Sequence, residues 1–154
     1  MTQIKKASIN ELDSLSVLFD KYRVFYKNAP DIKYAKKFLT ERITNNDAEL
    51  FVCFNEENIM VAFVQLYPLF SSTRMKKLWL LNDLYVDENY RGKGYALALI
   101  NKAKELCEAT SACGLILETS KDNIVGNNLY SKTGFNLDKE HNFYSWNVAA
   151  SSTA

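Results

Sequence analysis

The residue types that build metal and disulfide sites are scarce. There is one histidine, His141, and there are three cysteines, Cys53, Cys107 and Cys113, an odd number without CxxC spacing. A disulfide framework or a zinc site is therefore not expected, no metal is implied, and a reducing cytoplasm suits such cysteine usage. An excess of one charge is also lacking: 19 Lys and Arg oppose 18 Asp and Glu, a formal net charge of +1. That balance argues against an extended electrostatic partner such as nucleic acid or an anionic membrane surface, but it leaves room for a small basic pocket. Long apolar runs are missing. The longest, Ile59 to Val64, falls far short of the roughly 20 residues of a membrane helix. The stretch Met1-Thr2-Gln3-Ile4-Lys5-Lys6 leads into mixed polar sequence and not into the apolar region of a secretory signal.

What is present is an ordinary globular composition. A chain of 154 residues, 47% hydrophobic and 24% charged, suits one domain able to bury roughly 68–70% of its unfolded surface. No repeat or long linker interrupts residues 1–148, and the segment 149–154, Ala149 to Ala154, reads as a flexible tail.

Periodicity predicts the elements. Ile4 to Ser8 suits a strand, and Asn10 stands where a helix cap would, before Leu12, Leu15, Leu18, Phe19, Tyr22, Phe25 and Tyr26 at helical spacing. Pro30 ends that helix and Asp31 opens another, with Tyr34, Phe38, Leu39 and Ile43 on its apolar side, up to the turn cluster Asn45-Asn46-Asp47. Glu49 to Asn55 and Ile59 to Leu66 form a predicted hairpin, Pro68 to Met75 a loop or strand edge, and Leu78 to Val86 a third strand interrupted by Asn82 and Asp83. A helix follows from Tyr95 to Glu108, with Leu97, Ile100, Ala103 and Cys107 on one face. Leu115 to Leu117 reads as a strand, Ile124 to Lys132 as a helix, and Phe135 to Leu137 and Phe143 to Val148 as final strands. The order predicts a mixed α/β or α+β sheet protein.

The turn Arg91-Gly92-Lys93-Gly94-Tyr95-Ala96 lies between a strand and a helix. Such a turn offers backbone N–H groups and the positive end of a helix dipole to phosphate oxygens, and Arg91 and Lys93 add charge. It is neither a P-loop nor a dinucleotide fingerprint, because the spacing fails and Leu97 stands where the latter needs glycine.

A second segment, Asn123-Ile124-Val125-Gly126-Asn127-Asn128-Leu129-Tyr130-Ser131-Lys132-Thr133-Gly134-Phe135, follows in the chain. Together the two resemble the GNAT superfamily of N-acyltransferases over Leu78 to Trp146. The first matches the family's Arg/Gln-x-x-Gly-x-Gly/Ala loop as Arg91, Gly94 and Ala96. The second resembles its Asn…Leu-Tyr-x-Lys-x-Gly-Phe element, with Gly126 where the family often has alanine. The stretch Asn82-Asp83-Leu84-Tyr85-Val86 is also similar to diamine and polyamine acetyltransferases, which tend to carry two adjacent acids where this chain has Asn82-Asp83.

The resemblance implies a mixed, mostly antiparallel sheet flanked by about four helices and direct transfer from acetyl-CoA to an amine in a ternary complex. It assigns the thioester to the backbone of Leu84, Tyr85 and Val86, and the pyrophosphate to Arg91, Gly92, Lys93, Gly94, Tyr95, Ala96 and Leu97. Asn123 would contact the pantetheine or the diphosphate, and Lys132 would approach the nucleotide end. Tyr130, protonated at neutral pH as an ordinary tyrosine is, would donate a proton to the leaving thiolate. Asp83 and Glu118 are the candidates to deprotonate the amine, and Tyr22, Tyr26, Asn82 and Asp83 to hold it. Asp83 is preferred, because an acid inside an apolar run needs a reason to be there. The resemblance also implies a homodimer joined through the aromatic strand Phe143-Tyr144-Ser145-Trp146.

The favoured acceptor is a small primary amine, a diamine or polyamine. Transfer to a protein lysine or an amino acid is the alternative on the same fold. A non-catalytic acyl-CoA sensor is the alternative of another class. His141 reads as solvated, Cys107 and Trp79 as core, and Arg74-Met75-Lys76-Lys77 as a solvated edge.

Overall fold

The computed structural model describes residues 2–149. It contains two compact units, Met1–Ser120 and Lys121–Ala154. Of the predicted tail, Ala150 to Ala154 lie outside the described residues.

The first unit is a five-stranded sheet in the order β1-β2-β3-β4-β5. The strands are β1 (Gln3–Lys6), β2 (Glu49–Phe54), β3 (Met60–Ser71), β4 (Lys76–Val86) and β5 (Leu115–Ile116). Neighbours from β1 to β4 are antiparallel, and β5 lies parallel to β4. The helix α3 (Tyr95–Ala109) forms the crossover between those last two, as a parallel pair requires. The helices α1 (Leu12–Phe25) and α2 (Ile32–Asn45) lie between β1 and β2 in the chain. This is the mixed α+β fold the sequence predicts.

Each helix has a local cause. Ser8, not Asn10, starts the first: its hydroxyl accepts from the Asn10 N–H at 3.2 Å while Glu11 accepts from the Ser8 N–H at 2.8 Å, a capping box over a short 3-10 turn that leads into α1. Asp31 caps α2 by accepting from the Tyr34 N–H at 3.0 Å. The α1–α2 connection is pinned by Asp20, buried, which accepts from Arg23 and from the Asp31 N–H.

Two apolar layers cover the sheet. Leu12, Leu15, Leu18 and Phe19 of α1, with Ala35 and Leu39 of α2, pack on Leu50, Val52, Phe63 and Tyr85. On the other face Tyr95, Leu99, Ala103 and Cys107 of α3 pack on Phe51, Val64, Leu66, Trp79 and Leu81. Each large apolar side chain so buried contributes about 1.5–3 kcal/mol. The buried α3 stripe differs from the predicted one: Leu97 is 45% exposed, because it stands two residues from Tyr95 and so across the helix from it.

β3 runs on through Pro68, past the predicted end at Leu66. Its β2 partner stops at Glu49, opposite Leu66, so from there that flank of β3 is an edge, where a proline's missing N–H is tolerated. Ser72, Thr73, Arg74 and Met75 form the exposed turn of the β3–β4 hairpin, and Lys76 opens β4 opposite Ser71.

The second unit contains α4 (Ile124–Lys132), with the predicted bounds. Asn123 caps it by accepting from the Gly126 N–H at 3.1 Å. A Cβ on Gly126 would collide with that Asn123 amide, which accounts for glycine here. Gly134, at φ +93°, turns the chain so that the Phe135 N–H reaches the Tyr130 carbonyl at 3.1 Å. The strands expected at Phe135 to Leu137 and Phe143 to Val148 are not formed. Phe143, Tyr144, Trp146 and Val148 are exposed, and a strand-like pattern becomes a strand only when an edge pairs with it.

Candidate active site

The centre of the first unit is an irregularity in β4. Gln65 lies opposite Asp83 and Leu66 opposite Leu81, so Asn82 is one residue too many on its strand, a β-bulge. The bulge reverses the alternation of side chains. Before it Leu81 faces α3, and after it Leu84 does, while Asp83 and Tyr85 turn to the α1 and α2 side. The carboxylate that interrupts the apolar run therefore enters the α1/α2 layer beside Tyr85.

Asp83 is buried, at 6% exposure, and is not left bare. Gln65 Nε2 donates to its Oδ2 at 2.8 Å, and Asn82 Nδ2 lies 3.1 Å from both of its oxygens. Tyr67, two residues along β3 from Gln65, has its hydroxyl pushed well up by burial, with the Asp83 charge adding to the effect. That phenol stays protonated at any physiological pH.

An aromatic wall stands next to this carboxylate. Tyr22 meets Tyr26, Phe63 and Tyr85 at centroid distances of 5.0, 5.6 and 5.9 Å. Phe25 stands 5.2 Å from Tyr26 and 6.1 Å from Tyr85. The proposed acceptor residues Tyr22, Tyr26, Asn82 and Asp83 thus belong to one neighbourhood of the first unit.

The opposite edge of β4 opens where β5 stops. β5 pairs only with Trp79 and Leu80. The Asp87 N–H donates to the Val61 carbonyl at 2.9 Å. Alternation along an antiparallel ladder then turns the amides of Asp83 and Tyr85 toward β3, and those of Leu84 and Val86 toward the open edge. The Val86 carbonyl agrees with this, accepting from Arg91 Nε at 3.0 Å.

Beyond β4, Asp87 caps a 3-10 turn, and the glycine loop leads into α3. Gly92 and Gly94 have φ of +78° and +85°, conformations that disfavour any side chain. Gly94 is the N-cap of α3, and among the described residues no side chain caps that end. The amides of Tyr95, Ala96 and Leu97 are thus those a helix start offers to an anion. Among the described residues a Cβ at Gly92 or Gly94 would meet nothing within 4 Å, so the loop is open at these two positions. These features fit a pyrophosphate. The Tyr95 side chain is buried in the core, which leaves only its backbone for such a role. Lys93 sits over the Tyr90 ring and lines, with Thr2, Asn55, Glu56, Glu57 and Tyr95, a shallow cavity of about 360 Å³.

Arg91 is placed differently from a simple phosphate ligand. Its guanidinium lies over the rings of Phe25 and Tyr85, at 5.2 and 5.5 Å, while Nε holds the Val86 carbonyl. Glu118 is exposed and lies beyond the end of β5 at Ile116, which stops one residue short of the predicted Leu117. Asn123, Tyr130 and Lys132 are all carried by α4 in the second unit. Tyr130 packs edge-on against Phe135 at 5.6 Å, and Lys132 is exposed in the last turn.

Sequence reasoning missed Gln65 and Asp87, both buried polar residues. Asp87 accepts from Lys21 Nζ at 2.9 Å, tying α1 to the turn before the glycine loop. Their shared signal was a polar side chain in or beside an apolar strand run, the same signal that drew attention to Asp83. Cys53, Cys107 and Cys113 are free, and burial pushes the Cys53 thiol up to about 11. Among the described residues no group of three or more His, Cys, Asp or Glu could hold a metal, and no helix is long and apolar enough to cross a membrane.

Comparison with known proteins agrees with the mixed fold. Residues 14–135 match the acetyltransferase (GNAT) family. The chain is 34% identical to the uncharacterized N-acetyltransferase YhfO of Bacillus subtilis strain 168, over 96% of this chain and 98% of that protein. Streptothricin acetyltransferase A of the same organism is 27% identical, over 88% and 82%. A crystal structure of a probable acetyltransferase, 34% identical, superposes with a TM-score of 0.91 over 96% of this chain and 99% of the other. With its bulged β4, its glycine loop at the start of α3 and these relatives, the chain belongs to the GNAT acetyltransferase family and is an N-acetyltransferase.

Proposed function

We propose that this enzyme uses acetyl-CoA to acetylate the primary amine of a small molecule, a diamine or polyamine, by direct transfer in a ternary complex. The observation that carries the reading is Asp83: a buried carboxylate, held by two side-chain amides, next to a wall of tyrosines. A carboxylate so placed attracts a cationic amine and can take its proton. The aromatic wall adds cation–π attraction for an ammonium group. A relative named as a streptothricin acetyltransferase supports an acceptor other than protein lysine.

In this reading acetyl-CoA supplies the activated acetyl group as a thioester. The amides of Tyr95, Ala96 and Leu97 and the charge of Lys93 bind its pyrophosphate, with Gly92 and Gly94 providing the turn. The outward amides of Leu84 and Val86 donate to the thioester carbonyl oxygen, in the manner of an oxyanion hole. Arg91 braces the Val86 carbonyl and the aromatic wall. Asp83 removes a proton from the amine nitrogen, and Tyr130 gives one to the sulfur as it leaves. Asn123 and Lys132 contact the cofactor. Glu118 is the second carboxylate candidate, in an exposed position. Residues 1–148 act as one catalytic domain in the cytoplasm, and the exposed aromatic segment Phe143 to Val148 serves a homodimer.

The test is release of CoA from acetyl-CoA with putrescine, spermidine, free amino acids and a lysine-containing peptide, for the wild type and Asp83→Asn. Turnover is expected with the di- and polyamines, with kcat/KM falling about 100-fold or more in Asp83→Asn. Turnover confined to the peptide, or an unaffected Asp83→Asn enzyme, overturns the reading.

A further inference from the structure

Gln65 is the most deeply enclosed polar side chain of the first unit, at 0% exposure. Its two amide atoms are treated unequally. Nε2 donates to Asp83 Oδ2 at 2.8 Å, and Oε1 is buried with no hydrogen-bond partner among the described residues. The orientation of the amide follows from chemistry, because only the NH₂ end can donate to a carboxylate. An orphaned carbonyl in a sheet interior is unfavourable, and a leucine of similar length would avoid it. The arrangement therefore sacrifices one end of the side chain to gain a donor at the other.

That donor is placed where it matters. Gln65 and Asp83 are cross-strand partners at the bulge, the last matched pair before Asn82 upsets the register. Asn82, the other amide on the carboxylate, is exposed and sits on the irregular residue itself. Gln65 is on the regular, central strand and is locked by packing. Of the two, only Gln65 can fix the carboxylate plane while Asn82 moves aside for an incoming ammonium group.

We infer that Gln65 is a positioning residue for amine acetylation, holding the Asp83 carboxylate aimed at the acceptor nitrogen through its Nε2–H···Oδ2 hydrogen bond. The inference rests on Asp83 being the group that receives the amine proton. Gln65 touches neither substrate, so its whole effect passes through Asp83. Its removal leaves acetyl-CoA binding alone and reduces productive use of the amine.

The experiment is a double-mutant cycle in the full-length enzyme with Gln65→Leu, Asp83→Asn and the pair, using the best acceptor of the amine panel. The readouts are kcat and KM for both substrates and the melting temperature. In the wild-type background Gln65→Leu is expected to lower kcat/KM for the amine about tenfold or more, with KM for acetyl-CoA unchanged. In the Asp83→Asn background the same substitution is expected to change it less than about twofold, because no carboxylate is left to position. Equal losses in both backgrounds mean a structural role and overturn the inference, as does a silent Gln65→Leu. If Asp83→Asn is itself silent, the reading of Asp83 fails and takes the inference with it. A normal response to Asp83→Asn with no coupling removes the inference alone. Should Gln65→Leu not fold, Gln65→Met, unbranched and also without a donor, takes its place in the cycle.

Discussion

Asp87 offers a measurable link between stability and the cofactor loop. It is 6% exposed and follows β4, where it accepts from the Asn89 N–H at 3.0 Å and from Lys21 Nζ at 2.9 Å. Burial alone would raise its carboxyl, but the Asn89 amide and the Lys21 ammonium more than reverse this and hold it below the usual aspartate value. The same hydrogen bond raises Lys21. A depressed carboxyl stabilises the fold above its unfolded pKa of about 4 and loses that contribution as the pH falls through its folded value. The raised lysine contributes below its unfolded pKa of about 10.4 and loses this only as the pH rises through its folded value. Across the neutral range the pair is fully formed.

Asp87→Ala removes a cap acceptor, about 1 kcal/mol. It also removes an ion pair whose lysine is half exposed and whose contribution is therefore at most about 1 kcal/mol. The expected loss is about 2 kcal/mol, or roughly 4–8 °C in melting temperature for a domain of this size. Asp87→Asn keeps an oxygen for the Asn89 amide and should lose about half as much. Urea unfolding from pH 7 downward reads both. The gap between wild type and Asp87→Asn should hold to about pH 4 and close below it. A gap that persists in acid, or an Asp87→Ala enzyme within about 0.5 kcal/mol of wild type, refutes the reasoning.

Two further substitutions probe the cofactor side. Gly94→Ala forces a side chain into φ +85° and should cost about 1–2 kcal/mol. It should also weaken acetyl-CoA in a calorimetric titration, and unchanged affinity would remove the loop from the cofactor site. Tyr130→Phe keeps the edge-on packing against Phe135 but removes the hydroxyl. It should lower kcat roughly 10²-fold or more with little change in acetyl-CoA affinity, and an undiminished kcat would exclude Tyr130 as the acid.

The elements most legible in the sequence are those with local causes. α4 falls on its predicted residues because Asn123 caps it and Gly134 ends it, both within the segment itself. α2 begins where Asp31 can cap it. Ser8 escaped notice because its capping box with Glu11 opens a 3-10 turn ahead of the helical pattern. What was not legible depends on partners far along the chain. Gln65 and Asp83 are 18 residues apart, and Lys21 and Asp87 are 66 apart. No periodicity reports such pairs. β5 is only Leu115–Ile116, one residue shorter than the predicted strand. The aromatic alternation at Phe143 to Val148 advertises a strand without supplying an edge to pair with.

Asn82 shows how one extra residue can organise both halves of a transfer site. Were Asn82 instead paired within a regular ladder, β4 would keep Leu81, Asp83 and Tyr85 on the same face, because side chains alternate with a period of 2. The carboxylate would then lie in the α3 layer beside Leu81, among apolar residues and away from Tyr22 and Gln65. With the bulge, Asp83 and Tyr85 join the α1/α2 layer, and Leu84 takes the α3 side. The same shift fixes which amides face the open edge, those of Leu84 and Val86, just past the point where β5 has stopped. A proton acceptor on one face and amide donors on one edge are thus set within a few residues of each other by a single register change. Inserting one alanine between Gln65 and Leu66 would give Asn82 a cross-strand partner and impose regular alternation, and should abolish acetyl transfer far more completely than Asn82→Ala, which removes the amide but keeps the bulge. Equal residual activity in the two variants would mean that the side chain of Asn82, and not its place in the register, is what the site requires.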